Sequence, residues 1–377
     1  MKKIGKEVLF LETGKGNPRN GEGTFIRLKN GDIMYAYTEY FGDDWADHAA
    51  AHICACISGD EGESWGERFV LLEKDEKAEN YMSPSLLRLS DGGLGMIFLR
   101  KEGDTTDIGV GKHYADLDCM PMFCRSDDEG KSWSQPIVCG VPKGYYCGIN
   151  DGVLVQKSGR ILMPMSSHAE NRAATVVIAY SNDNGKSWGV LDHEFKTPFS
   201  EKNIGLGEPG LYELEDGELW MWCRTIYGHQ YESRSYDNGV SWTPVEPNFY
   251  FTSPDSPMRV KDVGEYTVSV FNPVPCLCTR EDYTVRGSIR RTPLVCAVSD
   301  DRGRSFDCFG SYVGGKKMIE FANRAFSLED DLSSTYCYPA VIEVDGGFLV
   351  AYYHSNGGTY TLNCLKITKV SFDEIAK

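Results

Sequence analysis

A chain of 377 residues with 41% hydrophobic residues, 25% charged residues and 40 glycines is long enough to bury a large core and has the composition of a turn-rich globular protein. Its formal net charge of −16 argues against nucleic acid and against anionic membranes as partners, because those surfaces attract basic patches. No apolar run approaches the length needed to span a membrane, which predicts a soluble protein.

The N-terminal segment, MKKIGKEVLFLETGKG, is predicted to form a β-strand. It contains only a short apolar stretch, and no small-residue cleavage site follows, so it lacks the pattern of a signal peptide. The 13 cysteines are an odd number without the spacing of a disulfide framework, and several, such as Cys223 and Cys296, lie in apolar runs. We therefore expect a cytoplasmic protein with reduced thiols, whereas a signal removed from the sequence would mean secretion.

Two pairs of cysteines are close in sequence, Cys54 with Cys56 and Cys276 with Cys278. The members of each pair are separated by one residue instead of two, and neither pair has the second half that completes a zinc site. The sequence therefore predicts neither a metal site nor a cofactor.

The pattern S-x-D-x-G-x-S-W/F recurs five times, and we call each copy an aspartate box. The copies occupy residues 58–65, 126–133, 181–188, 235–242 and 299–306. Their starts are 54 to 68 residues apart, which is in the range of a β-propeller blade with loop insertions. In such a turn the aspartate accepts backbone amides, the glycine takes a positive φ, and the aromatic ring fills the gap between neighbouring sheets.

A hairpin turn is the second repeat, and it precedes each aspartate box. Its glycines are Gly31, Gly92, Gly159, Gly217, Gly264 and, near the C-terminus, Gly346. Six such turns predict an all-β protein, a six-bladed β-propeller formed as a single domain by residues 1–377. To close the ring, the N-terminal strand around residues 7–10 is expected to pair with the final blade.

Residues 205–225 are predicted to form one hairpin that brings Glu208 and Arg224 to the same end. In a propeller the innermost strand of each blade starts at the face that binds ligands. Counting back eight or nine residues from each hairpin turn, at about 3.3 Å per residue, leads to these starts. They are Glu22, Ser83, Asn150 with Asp151, Glu208, Ser256 and Tyr338.

Counting forward to the end of the second strand leads to another polar set, which contains Glu39, Arg100, His168, Arg224, Asn272 and His354. The start of the third strand adds Asp47 and His48 in the first blade and Arg291 in the fifth. The register therefore predicts one polar pocket at one end of the propeller. Two neighbours remain alternatives by position alone: Arg290 for Arg291, and Asp43 or Asp44 for Asp47.

These residues resemble the sialidase (neuraminidase) superfamily, in particular the bacterial proteins with BNR repeats, and the resemblance covers essentially the whole chain. Glu208 with Arg224 on one hairpin resembles the family's glutamate and second arginine. Arg291 ahead of a box resembles its third arginine. Tyr338 resembles the tyrosine that opens the last blade, and Asp47 resembles the loop aspartate.

The resemblance implies an exo-sialidase that hydrolyses a terminal acidic sugar of a glycan with retention through a tyrosine nucleophile. Glu208 would take the proton of Tyr338, whose reference pKa of about 10 makes it a poor nucleophile. Asp47 would protonate the leaving oxygen and then activate water. Arg224 and Arg291 would bind the substrate carboxylate. The further candidates for substrate binding are Glu22, His48, Arg100, Asn150, Asp151 and His168.

The sequence departs from this family at the first arginine, whose expected position falls at Gly21 and Glu22. Arg19 lies about two residues early, and either Arg19 or Arg100 is a candidate to replace it. Without that arginine two alternatives stay open: a related glycosidase acting on a different sugar, and a carbohydrate-binding propeller without catalysis.

Overall fold

A computed structural model describes residues 1–103, 118–168, 173–196, 205–275, 291–306, 312–313, 316–317, 324–355 and 362–376. Over these residues the chain is all-β, with 27 strands and one four-residue helix. In the same ranges no helix has the length and apolar character that crossing a membrane requires.

The strands follow one another in six groups, which we number in chain order. The first three groups are β2 (Gly16–Arg27), β3 (Ile33–Gly42), β4 (Ala51–Ser58) and β5 (Phe69–Leu72); β6 (Asn80–Arg88), β7 (Leu94–Glu102), β8 (Asp118–Ser126) and β9 (Ile137–Val138); and β10 (Tyr145–Cys147), β11 (Leu154–Val155), β12 (Ile161–His168), β13 (Thr175–Ser181) and β14 (Gly189–Val190).

The fourth and fifth groups are β15 (Gly207–Glu213), β16 (Leu219–Arg224), β17 (His229–Ser235) and β18 (Glu246–Thr252); and β19 (Arg259–Val263), β20 (Tyr266–Phe271), β21 (Leu294–Ser299) and β24 (Ala325–Glu329). The sixth is β25 (Tyr336–Val344), β26 (Gly347–His354) and β27 (Cys364–Ser371), joined by the N-terminal β1 (Lys6–Leu11). Outside the groups, β22 (Tyr312–Val313) pairs with β23 (Lys316–Lys317), and helix α1 (Phe372–Ile375) follows β27.

Pairing within each group is antiparallel, as the hairpin turns predict. It joins consecutive strands except in the third group, where β10 and β11 both pair with β12. The first three groups merge into one sheet because β4 pairs in parallel with β6, and β8 with β10, through one residue pair each. The N-terminal strand predicted around residues 7–10 is β1, and it pairs with β27, so the two ends of the chain are held in one sheet.

The hydrophobic core lies between successive groups. Six clusters of buried side chains occupy these interfaces, and one of them joins the sixth group back to the first. In that cluster Tyr35 and Cys54 pack with Leu349 and Ile367. Each group therefore buries both faces against the two groups beside it, which explains why its strands are apolar on both sides.

All five aspartate boxes form the same turn. In the first box the Ser58 hydroxyl and the Ser64 backbone amide donate to Asp60 Oδ1 at 2.8 and 2.9 Å, and the Ser64 hydroxyl donates to Oδ2 at 2.5 Å. The box aspartates are Asp60, Asp128, Asp183, Asp237 and Asp301. Box aromatics pack on the preceding group: the Trp188 ring lies 5.6 Å from the ring of Phe123 on β8. The boxes therefore connect neighbouring groups of strands.

Every group has a non-glycine residue with positive φ at a corresponding position, which lies within β2, β6, β15 and β25 and a few residues before β11 and β19. These residues are Glu22, Ser83, Asp151, Glu208, Asp255 and Tyr338. In β2, β6, β15 and β25 the pairing register shifts at this residue, which is the mark of a β-bulge. A bulge re-aims a side chain relative to regular alternation, and a non-glycine residue in this conformation costs about 1–3 kcal/mol. Such recurring strain is typical of functional sites.

Candidate active site

Tyr338, Glu208 and Arg224 form a trio joined by direct hydrogen bonds. Tyr338 and Glu208 are the positive-φ residues of β25 and β15, and Arg224 is the last residue of β16. The Tyr338 hydroxyl donates to Glu208 Oε1 at 2.5 Å. Arg224 Nη1 donates to Glu208 Oε2 at 2.5 Å and to the Tyr338 hydroxyl oxygen at 3.1 Å. The predicted hairpin is the cause of the second contact, because residue 207 on β15 is paired directly with Arg224 on β16.

The surroundings of Tyr338 favour the protonated phenol. Burial raises the pKa of Tyr338 well above its ordinary value, and the negative charge of Glu208 acts in the same direction. Arg224 and Arg291 oppose this shift because a cation favours the phenolate. The Tyr338 hydroxyl therefore donates its proton to a hydrogen bond with the Glu208 carboxylate, which can accept that proton. Arg224 and Arg291 would stabilise the phenolate that results.

Asp255 is a second carboxylate partner of Arg224, and the sequence analysis did not select it. Its Oδ1 accepts from Arg224 Nε at 2.5 Å, and its Oδ2 from Nη2 at 3.2 Å. The count along the strand selected the next residue, Ser256, whose hydroxyl instead donates to Asn272 at 2.7 Å. Asp255 is the positive-φ residue of its group, so the local conformation displaces the count by one.

Arg291 lies on the other side of Tyr338. Its guanidinium carbon is 5.8 Å from the centre of the tyrosine ring, and Nη2 donates to the backbone oxygen of Asp255 at 2.9 Å. Nη1 lies 3.2 Å from Cys337 Sγ, so the arginine contacts both its own group, at Asp255, and the sixth group, at Cys337. The alternative, Arg290, lies outside the described residues.

Arg19 is the arginine that the sequence analysis could not place. Its Nη1 donates to Asp47 Oδ1 at 2.5 Å, and its Nη2 to Glu22 Oε1 at 3.3 Å. Its Nε donates to the Tyr353 hydroxyl at 3.0 Å, and the guanidinium also lies over the ring of Tyr40. Strand β2 has two register shifts, between residues 16 and 19 and between 21 and 24. A count that assumes regular alternation therefore fails in this strand.

The two halves of the cluster meet at a pair of tyrosines. The rings of Tyr338 and Tyr353 are 5.7 Å apart in an edge-to-face arrangement. Glu22 is buried beside Tyr353 and accepts from the Ser83 hydroxyl through Oε2. Burial raises the pKa of Glu22, although Arg19 and the hydrogen bond from Ser83 act in the opposite direction.

Asp47 and His48 lie on the loop between β3 and β4 that reaches over the cluster. Asp47 keeps 64% of its side chain exposed while it pairs with Arg19. Desolvation by the surrounding protein favours the neutral form of Asp47. The positive charges of Arg19 and, to a smaller extent, Lys101 outweigh this effect and lower the pKa of Asp47. The pKa of His48 is lowered to about 4 by burial and by Lys101. The alternatives Asp43 and Asp44 are exposed on the same loop.

Arg100 is not brought into the cluster. Its Nε and Nη2 bind the carboxylate of Asp75 at 2.6 and 2.9 Å, and Nη1 binds Glu102 at 2.5 Å. Of the two candidates to replace the first arginine, the structure therefore places Arg19 with Asp47 and Glu22, and Arg100 with a separate acidic pair. The neighbouring Lys101 is the one that contacts the loop, donating to the Asp47 backbone oxygen at 2.8 Å.

Asn150 and Asp151 are buried and tie strands together. The backbone oxygen of Asn150 accepts from Arg259 Nε at 3.0 Å. Asp151 accepts from the Thr24 hydroxyl at 3.1 Å and from the Val341 backbone amide at 3.1 Å. These partners belong to the fifth, first and sixth groups. Asn150 and Asp151 therefore connect the third group to three other groups through buried hydrogen bonds.

His168 forms a small polar group next to Glu208. Its Nε2 lies 3.1 Å from Cys147 Sγ and 3.4 Å from Ser166 Oγ. Burial lowers the pKa of His168 to about 4 and raises that of Cys147 to about 12, so both side chains are neutral at physiological pH. The Ser166 hydroxyl also accepts from the backbone amide of Glu208 at 3.4 Å, which helps to hold the glutamate.

One group among the described residues has the composition and spacing of a metal site: Glu39, His52 and Cys54, at the root of the loop that carries Asp47. The second cysteine pair considered in the sequence, Cys276 with Cys278, lies outside the described residues. The active-site candidates themselves combine a buried phenol, a carboxylate base, a carboxylate on a loop and three arginines. This set can transfer a proton, form a covalent bond to carbon and stabilise negative charge.

Comparison with known proteins identifies a family. Residues 37–351 match the model of the family described as BNR repeat-like domain. A comparison with curated proteins finds no match.

Several solved structures are similar in fold. A Dyadobacter fermentans protein of unknown function has 17% identity and a TM-score of 0.70 over 97% of this chain and 98% of that one. A Hadza microbial sialidase has 14% identity and a TM-score of 0.70, over 95% of this chain and 66% of that one. Trypanosoma rangeli sialidase in complex with 2,3-difluorosialic acid, as the covalent intermediate, has 14% identity and a TM-score of 0.70, over 98% and 59%. The chain thus spans less than two thirds of both sialidases, and at these identities the similarity concerns the fold.

Proposed function

The chain belongs to the BNR repeat-like domain family within the sialidase-like superfamily, and on this premise we propose that it is a glycoside hydrolase that removes a terminal acidic sugar from a glycan with retention. The single observation that carries the proposal is the trio of Tyr338, Glu208 and Arg224, with its 2.5 Å hydrogen bond between phenol and carboxylate. A buried tyrosine at this distance from a carboxylate base is the arrangement that a tyrosine nucleophile needs.

The architecture proposed with this function is a six-bladed propeller that forms one domain over residues 1–377. Six groups of strands, six core clusters between them and the pairing of β1 with β27 support it. In such a ring the six positive-φ residues lie at one end of the central channel. This arrangement explains how residues from opposite ends of the chain, such as Arg19 and Tyr353, come into contact.

In the first step of the proposed reaction, Glu208 takes the phenol proton and the Tyr338 oxygen bonds to the anomeric carbon. The bond to the leaving oxygen breaks, and that oxygen receives a proton from Asp47. In the second step, Asp47 takes a proton from water and the water oxygen bonds to the anomeric carbon. The bond between that carbon and the Tyr338 oxygen breaks, and the phenolate takes back the proton held by Glu208. Two displacements at one carbon give net retention.

Asp47 has to be protonated to act in the first step, yet Arg19 lowers its pKa. A substrate carboxylate that binds Arg19 at Nη1 takes the place of the Asp47 carboxylate, whose side chain is free to move because most of it is exposed. Loss of the cationic partner raises the pKa of Asp47 and favours its acid form. An acidic sugar would in this way prepare its own general acid.

One observation favours a second candidate, a glycosidase for a sugar without a carboxylate. Two of the three arginines are already paired with two carboxylates each: Arg19 with Glu22 and Asp47, and Arg224 with Glu208 and Asp255. A pocket whose cations are neutralised by its own acids attracts an anion less than a pocket with uncompensated arginines does. Hydroxyl or ammonium groups of a sugar would suit Glu22.

The test is a panel of fluorogenic aryl glycosides containing a sialoside, uronides, and neutral and amino sugars. Turnover of an acidic member supports the proposal, and turnover confined to neutral or amino sugars supports the second candidate. The matching fluorinated sugar should then add its mass to the peptide that contains Tyr338 in the wild type but not in Tyr338→Phe. Binding of panel sugars without turnover of any would replace both proposals with a carbohydrate-binding propeller.

A further inference from the structure

The loop that carries Asp47 is rooted at a cross-strand pair of ionisable residues. Glu39 on β3 lies directly opposite His52 on β4, and the chain between them forms the loop. Cys54 is two residues further along β4, and alternate residues of a strand share a face. A carboxylate oxygen of Glu39, an imidazole nitrogen of His52 and Cys54 Sγ all lie within 4.8 Å of one another.

These three ligand types select a particular class of metal ion. Thiolate sulfur, imidazole nitrogen and carboxylate oxygen are the ligands of zinc and of related divalent transition metals, whereas magnesium and calcium prefer oxygen ligands alone. Three protein ligands leave a fourth tetrahedral position for water. With bonds of about 2.0–2.3 Å, the ligand atoms of a tetrahedral site lie about 3.3–3.8 Å apart. Because the three atoms already lie within 4.8 Å of one another, side-chain movements of about 1 Å bring them to these distances.

Neighbouring side chains orient the carboxylate as they do at metal sites. The Tyr37 hydroxyl donates to Glu39 Oε2 at 2.9 Å, and Arg68 Nη1 donates to the same oxygen at 3.3 Å. With Oε2 held in this way, a metal ion would bind through Oε1. Outer hydrogen bonds of this kind fix the geometry of metal ligands. Glu39 keeps 14% of its side chain exposed and Arg68 keeps 47%, so an ion can enter from solvent.

We propose that Glu39, His52 and Cys54 bind one zinc-class divalent ion that joins β3 to β4 beneath the loop carrying Asp47. On binding, the Cys54 thiol releases its proton to solvent and the thiolate bonds to the ion. The sequence analysis excluded zinc because it compared Cys54 with Cys56, whereas the partners of Cys54 come from the facing strand and from two residues upstream. The proposal is independent of the hydrolase activity.

Cobalt(II) chloride is the probe, because cobalt occupies zinc sites and its bond to a thiolate gives a charge-transfer band in the near ultraviolet. The full-length, chelator-treated protein is titrated in the absence of reductant thiols. The wild type is expected to bind one equivalent with such a band, and Cys54→Ser is expected to lose it. Cys56→Ser is the matched control, since Cys56 is equally buried on the same strand, and it should keep the band. Glu39→Gln should weaken cobalt binding about tenfold or more.

Circular dichroism of each variant verifies that it folds. If Cys54→Ser does not fold, His52→Gln replaces it, because His52 is only partly buried, and it should weaken cobalt binding about tenfold or more. Absence of a stoichiometric thiolate band in the wild type would overturn the proposal. Equal loss of the band in Cys54→Ser and Cys56→Ser, or an unchanged affinity in both Glu39→Gln and His52→Gln, would overturn it as well.

Discussion

Replacing Glu208 with glutamine is the sharpest test of the proposed chemistry, because it removes the base and leaves the geometry. Glutamine has the same shape, so its oxygen can still accept the hydrogen bond from Tyr338. Arg224 keeps Asp255, which binds it through both Nε and Nη2. The variant should therefore fold, with a loss of no more than about 3 kcal/mol in the free energy of unfolding from the lost charged contact.

The expected loss of activity follows from the role of Glu208. An amide cannot take the phenol proton, and a positioned general base contributes about 10²- to 10⁴-fold to a rate. We therefore expect kcat to fall by about 10²- to 10⁴-fold, which corresponds to about 3–5.5 kcal/mol in the activation barrier. KM should change little, because the base acts only when the proton moves in the transition state.

The assay is the hydrolysis of the best substrate from the glycoside panel, with kcat and KM measured separately. Glu232→Gln is the matched control, since this carboxylate lies on the same sheet, on β17, and accepts hydrogen bonds from Trp220 and Asn248. It should leave kcat unchanged. The double variant with Tyr338→Phe should be no slower than Tyr338→Phe alone, because a base without its nucleophile has nothing to deprotonate.

Three results would refute this reasoning. A loss of kcat below tenfold in Glu208→Gln would mean that Glu208 is not the base. An increase in KM with unchanged kcat would make Glu208 a binding residue. Additive losses in the double variant would mean that Glu208 and Tyr338 act in separate steps.

Four further predictions follow from the contacts. Asp151→Ala should lower the free energy of unfolding by about 2–4 kcal/mol in chemical denaturation, since it leaves buried donors without their acceptor; lost activity at unchanged stability would instead indicate substrate contact. Arg100→Gln should change kcat/KM by about twofold or less, because its guanidinium belongs to a separate acidic pair. In Arg19→Gln the pKa of Asp47 should rise, so the high-pH limb of the kcat/KM profile should move to higher pH; an unmoved limb would separate the two residues. Four of the box aspartates have pKa values lowered from 3.8 to about 2 by their hydrogen bonds, so the unfolded chain binds more protons between these values. The melting temperature should therefore fall as the pH decreases from about 4 to about 2, and a flat profile over that window would contradict the box geometry.

Local pattern predicted much of the fold. Each aspartate box and each hairpin turn is specified by about eight consecutive residues. The hydrogen bonds and the positive-φ residues of each turn lie within that same segment. Strand order and hairpin pairing follow from such turns, which explains why the contact between Glu208 and Arg224 could be predicted from one hairpin. The pairing of β1 with β27 was predicted because a propeller ring must close, and the N-terminal strand was the spare one available to the final blade.

The position of side chains within the site was harder to predict, because counting assumes regular alternation. Two register shifts in β2 place Arg19 beside Asp47, although the count directed attention to Gly21 and Glu22. A positive-φ residue displaced the count from Asp255 to its neighbour. A bulge moves every later side chain to the other face of its strand, and the sequence pattern does not mark where this happens.

The sequence by itself determined the repeating turns, the strands they connect and the types of residue at the strand ends, because those depend on neighbours within a few positions. Only the tertiary structure decided which of the polar residues meet. Arg19 is held by Tyr353, and Glu208 by Tyr338, across more than 100 residues of chain, whereas Arg100 is held by an acidic pair of its own. Contacts of this length arise when sheets pack against each other and bulges turn their end residues, and neither effect is local.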